Sequence, residues 1–111
     1  MVALSQTQLV DDLSKILPEF VAVWAADNEE VEFRSGSLHS VYMSFLPLFS
    51  ASALTQHQWR QVADLFSREV AAGGDRENAV DTCVLEHLHQ VKLNRVLRPL
   101  LSPAAKALVR A

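Results

Sequence analysis

Two stretches of this chain set large apolar side chains at identical offsets. Leu38, Val41, Tyr42, Phe45 and Phe49 form the first set, and Trp59, Val62, Ala63, Phe66 and Val70 the second. Spacing of i, i+3, i+4, i+7 and i+11 winds one continuous stripe along an α-helix. A half-buried strand would alternate apolar and polar residues, and no run of the sequence sustains that alternation. The chain must therefore bury helical stripes against one another. Three of the five positions differ between the sets, and any amphipathic helix gives these offsets, so the shared spacing does not make a repeat.

Local signals place the helix boundaries. Thr55-Gln-His-Gln58 reads as a capping box opening the second striped helix, and Gly73-Gly74 stops it, the first glycine suiting the left-handed position after a helix end. The first striped helix is expected over 37–50, with Pro47 bending or tightening its last turn. Upstream, Ser5-Gln-Thr-Gln8 reads as another capping box, followed by Leu9, Leu13 and Ile16. Pro18 ends or kinks that helix and equally suits the first turn of a next one, where Glu19 would complement the dipole and Phe20, Val23 and Trp24 would face inward. A polar connection is expected over 27–36. Downstream, Asp75 is the expected cap of a helix reaching about residue 90, a short helix covers 92 to about 101, and Ser102-Pro103 starts a last turn or two. The expected fold is all-α: a single domain over 1–111, with five or six short helices in an irregular bundle or stacked antiparallel pairs.

The stretch Asn78-Ala-Val-Asp-Thr-Cys-Val-Leu-Glu-His-Leu-His89 carries the least ordinary chemistry. Wound as one helix of about 100° per residue, it puts His87 inside the apolar stripe and Cys83 at its edge. Asp81 and Leu85 fall on the other flank, and Thr82, Glu86 and His89 point away. Cys83 and His87, four apart, could share a metal ion, with His39 or His57 as the spare histidines for a third ligand. Alternatively, Cys83 could act as a nucleophile with His87 as its base. The mid-helix setting, with no nearby glycine turn or oxyanion donors, favours packing over both. Asp81 and Glu86 could form a carboxylate pair, but nothing in their spacing requires it. No catalytic or metal-binding residue is assigned, and no cofactor is expected.

Charge says more by its distribution than by its sum of −3. Residues 1–32 hold seven acids (Asp11, Asp12, Glu19, Asp27, Glu29, Glu30, Glu32) against Lys15, a net of −6. Residues 87–111 hold Lys92, Arg95, Arg98, Lys106 and Arg110 with no acid, a net of +5 with histidine neutral. The overall negative charge argues against nucleic acid as the main partner, although the basic end is the segment that would serve it. The longest apolar run, residues 20–26, falls far short of the ~20 residues of a membrane span. The first residues carry no basic, apolar leader, and Cys83 is the lone cysteine. The expected location is the cytoplasm.

Four segments together resemble a family of small all-helical bacterial proteins that are similar to toxin-immunity proteins. They are Leu17-Pro-Glu-Phe20, Ser37-Leu-His-Ser-Val-Tyr42, residues 66–74 and residues 78–88, which between them span most of the chain. These are packing motifs, so the resemblance implies a fold first. It also implies a non-enzymatic protein that binds a cognate toxin and covers its active site, and it carries over no catalytic residue. The contact residues expected for a basic partner are Asp27, Glu29, Glu30 and Glu32, with Trp24 as an apolar anchor. The alternative is a small regulatory or metal-dependent helical domain using Cys83 and His87.

Overall fold

A computed structural model describes residues 2–30, 38–88 and 93–109, without the side chains of 2–7, 27–30, 87 and 94. The described residues are all-α, as the periodicity requires, and contain no strand. Seven α-helices follow one another: α1 (Val2–Ile16), α2 (Phe20–Glu30), α3 (Leu38–Ala51), α4 (Gln56–Ala72), α5 (Gly74–Cys83), α6 (Asn94–Leu97) and α7 (Pro103–Leu108). Two 3₁₀ turns, Leu85–His87 and Arg98–Leu100, complete the order. The chain divides into two compact units, Met1–Ser52 and Ala53–Ala111.

In the first unit α1, α2 and α3 each pack on the other two. Every member of the 38–49 stripe is buried, together with Leu9, Leu13, Ile16, Leu17 and Phe20. The Phe20 ring meets Phe45 edge-on at 5.2 Å between centroids, and Phe45 stacks on Phe49 at 5.4 Å. Helix α1 begins at Val2, so Ser5 lies inside it and does not cap it. Val2, Ala3 and Leu4 include no helix breaker, and nothing there stops the helix from extending upstream. Pro18 and Glu19 form a turn between α1 and α2 rather than the first turn of α2. Their carbonyls still accept from the N–H groups of Val21 and Val23. Pro47 sits within α3 on its exposed side, where water can serve the carbonyl its missing N–H leaves free. The helix end does tighten: Ser52 N–H donates to the Phe49 carbonyl three residues back, and the Ser50 and Ser52 hydroxyls donate to the Pro47 and Leu48 carbonyls.

In the second unit α4 is the element on which the others assemble, packing on α5, α6, α7 and the turn Arg98–Leu100. Its capping box is present in both directions: Thr55 Oγ1 accepts from Gln58 N–H at 3.1 Å, and Gln58 Oε1 accepts from Thr55 N–H at 2.9 Å. Val62, Ala63, Phe66 and Val70 of the stripe are buried and Trp59 is half-buried. Gly73 ends α4 and stands at the cap position of α5, with φ +70 and ψ −172, a backbone region essentially reserved for glycine. Asp75 is therefore not the cap of α5. It lies in the first turn with Glu77, where carboxylates complement the helix dipole.

The expected single helix to residue 90 is not formed. Helix α5 stops at Cys83, Val84 leaves helical geometry at φ −123, and a 3₁₀ turn follows; residue 90 lies outside the described residues. The break has a packing cause. In an unbroken helix Leu85 would share a flank with Asp81, whereas the turned chain buries Val84, Leu85 and Leu88 together. The helix expected over 92–101 is also divided, into α6 and the turn Arg98–Leu100, because Pro99 cannot donate the next helical bond. Ser102 caps α7 as expected, its hydroxyl accepting from Ala105 N–H at 3.2 Å. Its own N–H donates to Ser67 Oγ at 3.0 Å, which ties the start of α7 to α4.

Phe45→Ala and Phe66→Ala, each emptying a fully buried site, should each lower stability by about 3–5 kcal/mol in urea unfolding. Gly73→Ala should cost about 1–3 kcal/mol for conformational reasons alone, since a Cβ there meets no atom within 4 Å. A Gly73→Ala protein as stable as the parent would show that the α4–α5 reversal is misassigned.

Candidate functional site

Helix α2 opens with Phe20-Val-Ala-Val-Trp-Ala-Ala26, apolar on every side. A helix apolar all round is normally enclosed. Here α1 and α3 cover one side only. Phe20 is buried, Val23 and Trp24 are half-buried, and Val21, Ala22, Ala25 and Ala26 are exposed, Val21 to 58%. Trp24 leans on Phe20, with ring centroids 6.3 Å apart, so the edge it leaves open is held by a buried neighbour. Neighbouring α3 has no charged residue and exposes Met43 to 64%, along with Pro47. Beyond Trp24, helical periodicity does not foreshadow this uncovered apolar surface, since it gives α2 only the inward set Phe20, Val23 and Trp24. The signal was present in the absence of any polar residue between Phe20 and Ala26.

Acids bracket this surface along the chain. Glu19 is exposed just ahead of α2. Asp27, Glu29 and Glu30 belong to the last turns of α2, with side chains outside those described, and Glu32 lies outside the described residues altogether. By sequence, the first unit carries seven acids against Lys15 and Arg34, a net of −5. The second carries six acids against eight bases, a net of +2. Of the five expected contact residues, Trp24 is thus placed in full, three are placed by their backbone on the same helix, and Glu32 is not placed.

The Cys83–His87 pair meets a different outcome. The α-helical register that would stack residue 87 over residue 83 ends at Cys83, and His87 belongs to the 3₁₀ turn, its side chain outside those described. The shared helical face expected for the two is therefore absent. Of the spare histidines, His39 is half-buried on α3 and His57 is exposed in the first turn of α4. Among the described residues, no three of His, Cys, Asp and Glu come together in a way that could hold a metal ion. Asp81 and Glu86 are both half-buried, one on α5 and one in the 3₁₀ turn.

Cys83 is itself half-buried. Burial pushes its thiol above the ordinary value, and the contact with Thr82 Oγ1 at 3.9 Å, acting the other way, offsets this only in part. The Thr82 hydroxyl also donates to the Asn78 carbonyl at 2.8 Å, so its single proton is already engaged along α5. The protonated thiol is favoured, which is the form that neither attacks nor ligates.

Among the described residues, the second unit buries one charged side chain that the sequence signals do not single out. Glu69 is buried on α4, and Arg76 Nε donates to its Oε2 at 3.2 Å while Nη2 reaches the same oxygen. Glu69 stands seven residues after Val62, one helical repeat along the apolar stripe, and that spacing was the available clue.

Among the described residues, no helix is long and apolar enough to cross a membrane. No family model, curated protein or solved structure matches the chain.

Because the folded thiol has the higher pKa, the folded state retains a proton that the unfolded chain loses above about pH 8.5. Its contribution is complete below the unfolded pKa and disappears as pH rises through the folded one. Urea unfolding across an alkaline pH series should therefore show stability falling, and Cys83→Ala should flatten that fall. Identical slopes for parent and variant would mean that the thiol is as solvated as in the unfolded chain.

Proposed function

We propose that this chain is a non-enzymatic binding protein, an immunity protein that occludes the active site of a cognate bacterial toxin in the cytoplasm. The observation that carries the reading is α2: an uncovered apolar surface of Val21, Ala22, Ala25 and Ala26, edged by a half-buried Trp24 and followed by acids on the same helix. Apolar centre and charged margin are the anatomy of a protein–protein interface. Acids along one element speed the encounter with a basic partner through their field, while the apolar centre supplies the holding energy. The resemblance of the packing motifs to those of immunity-like proteins supports the same reading.

The mechanism asks no chemistry of the chain. A toxin that cleaves or binds an anionic substrate presents a cationic cleft. An acidic, apolar helix seated there excludes substrate by volume and by charge. Trp24, braced by Phe20, needs little ordering to serve as an anchor, which lowers the entropic cost of docking.

The deciding measurement is co-purification with the product of the adjacent gene. A stable 1:1 complex is expected, and deletion of this chain should leave cells unable to tolerate that product. Trp24→Ala should weaken the complex by about 2 kcal/mol or more, and Glu29→Lys with Glu30→Lys should slow association most at low salt. Healthy cells after deletion, together with no complex, would end this reading.

A further inference from the structure

The C-terminal elements of the second unit turn outward a surface that the toxin contact on α2 does not use. Helix α6 and the turn Arg98–Leu100 pack on α4, and Leu97 and Leu101 are buried. Arg95, Val96, Arg98 and Pro99 are all exposed, Val96 to 45%. Two guanidiniums thus interleave with two apolar side chains along a single short segment. The only charged residues over 93–109 are Arg95, Arg98 and Lys106. Arg76 of the same unit is matched by Glu69, but among the described residues no carboxylate pairs with Arg95, Arg98 or Lys106. Pro99 adds rigidity and offers no N–H, so recognition here falls to side chains rather than to strand addition.

We propose that this surface docks an acidic, apolar segment of another protein, with carboxylates on Arg95 and Arg98 and apolar side chains on Val96 and Pro99. Arginine grips a carboxylate through two parallel hydrogen bonds and is enriched among residues that dominate interface energies. Charge complementarity selects the acid, and the interleaved apolar pair selects a protein segment over a phosphate backbone. The chain's net charge of −3 acts in the same direction. An extended polyanion or an anionic bilayer meets the field of the whole molecule, whereas a short acidic segment needs only the local cations within a Debye length of about 8 Å.

The probe is a fluorescein-labelled peptide of alternating glutamate and leucine pairs, titrated with the full chain by fluorescence anisotropy at low and physiological salt. Its lysine–leucine counterpart, a single-stranded oligonucleotide and phosphatidylserine vesicles are run beside it. The glutamate peptide should bind and its lysine counterpart should not. Arg95→Glu with Arg98→Glu should weaken binding by about tenfold or more, the scale of one charge-assisted pair. Lys15→Glu on α1 should leave binding unchanged. Arg95→Gln with Arg98→Gln, which neutralises without reversing charge, is the safeguard if the first variant loses its helical circular dichroism. Failure of the peptide to bind at low salt, undiminished binding by a folded Gln variant, or tighter binding of the oligonucleotide or vesicles would overturn the proposal.

Discussion

A carboxylate withdrawn from water and answered by a single guanidinium sets the geometry of the second unit. Glu69 lies near the end of α4, Arg76 near the start of α5, and between them the chain reverses through Gly73 and Gly74, both at positive φ. An ionised acid at that depth is costly unless paired, and removing one partner of a buried pair costs more than never having made it. The Arg76 side chain remains about half exposed, so solvent discounts the pair as a source of stability. Its larger effect is on specificity. The pair bridges the end of α4 and the start of α5 across Gly73 and Gly74, and beyond it Ala79, Val80, Val84, Leu85 and Leu88 are all buried.

Among the described residues, the first unit solves the same problem without a comparable buried charge. Phe20 is wedged edge-on against Phe45, and Phe45 is stacked on Phe49, so α2 and α3 are registered by ring geometry. Phe20 uses only one side of an otherwise apolar helix, and the remainder of that helix is left facing water. The cost of exposing Val21 and three alanines is tolerable for a short helix, and it leaves α2 with unspent capacity for contact. That link, from an over-apolar sequence to an incomplete cover, connects the fold to the binding function proposed for it.

Side chains with reactive potential end up serving the architecture. Cys83 terminates α5, and its desolvation favours the inert thiol. Thr82 returns its hydroxyl proton to the Asn78 carbonyl and so stays within its own helix. Among the described side chains, exposed charge includes Asp11 and Glu19 in the first unit and Arg95 and Arg98 in the second. Exposed charge of this kind suits a protein that acts by contact with other macromolecules, the function proposed above.

Helix content, both central stripes, the Thr55 and Ser102 caps and the glycine stop were legible from residue spacing, because each depends on interactions within about one helical turn. Trp24 was legible on its helix for the same reason, but the acids after it were expected in a connection over 27–36, whereas α2 continues through Asp27, Glu29 and Glu30. Three further things were not legible. Val84 leaves the helix so that Leu85 can be buried; Glu69 is buried because Arg76 returns to it; the outer side of α2 stays open because α1 and α3 reach only one side of it. Short-range periodicity by itself determined that this protein is built of helices and that the two central stripes turn inward. Where a helix must break, which charge is enclosed and which face is left uncovered were decided by tertiary structure alone, because each is a competition between segments distant in sequence for the same apolar volume.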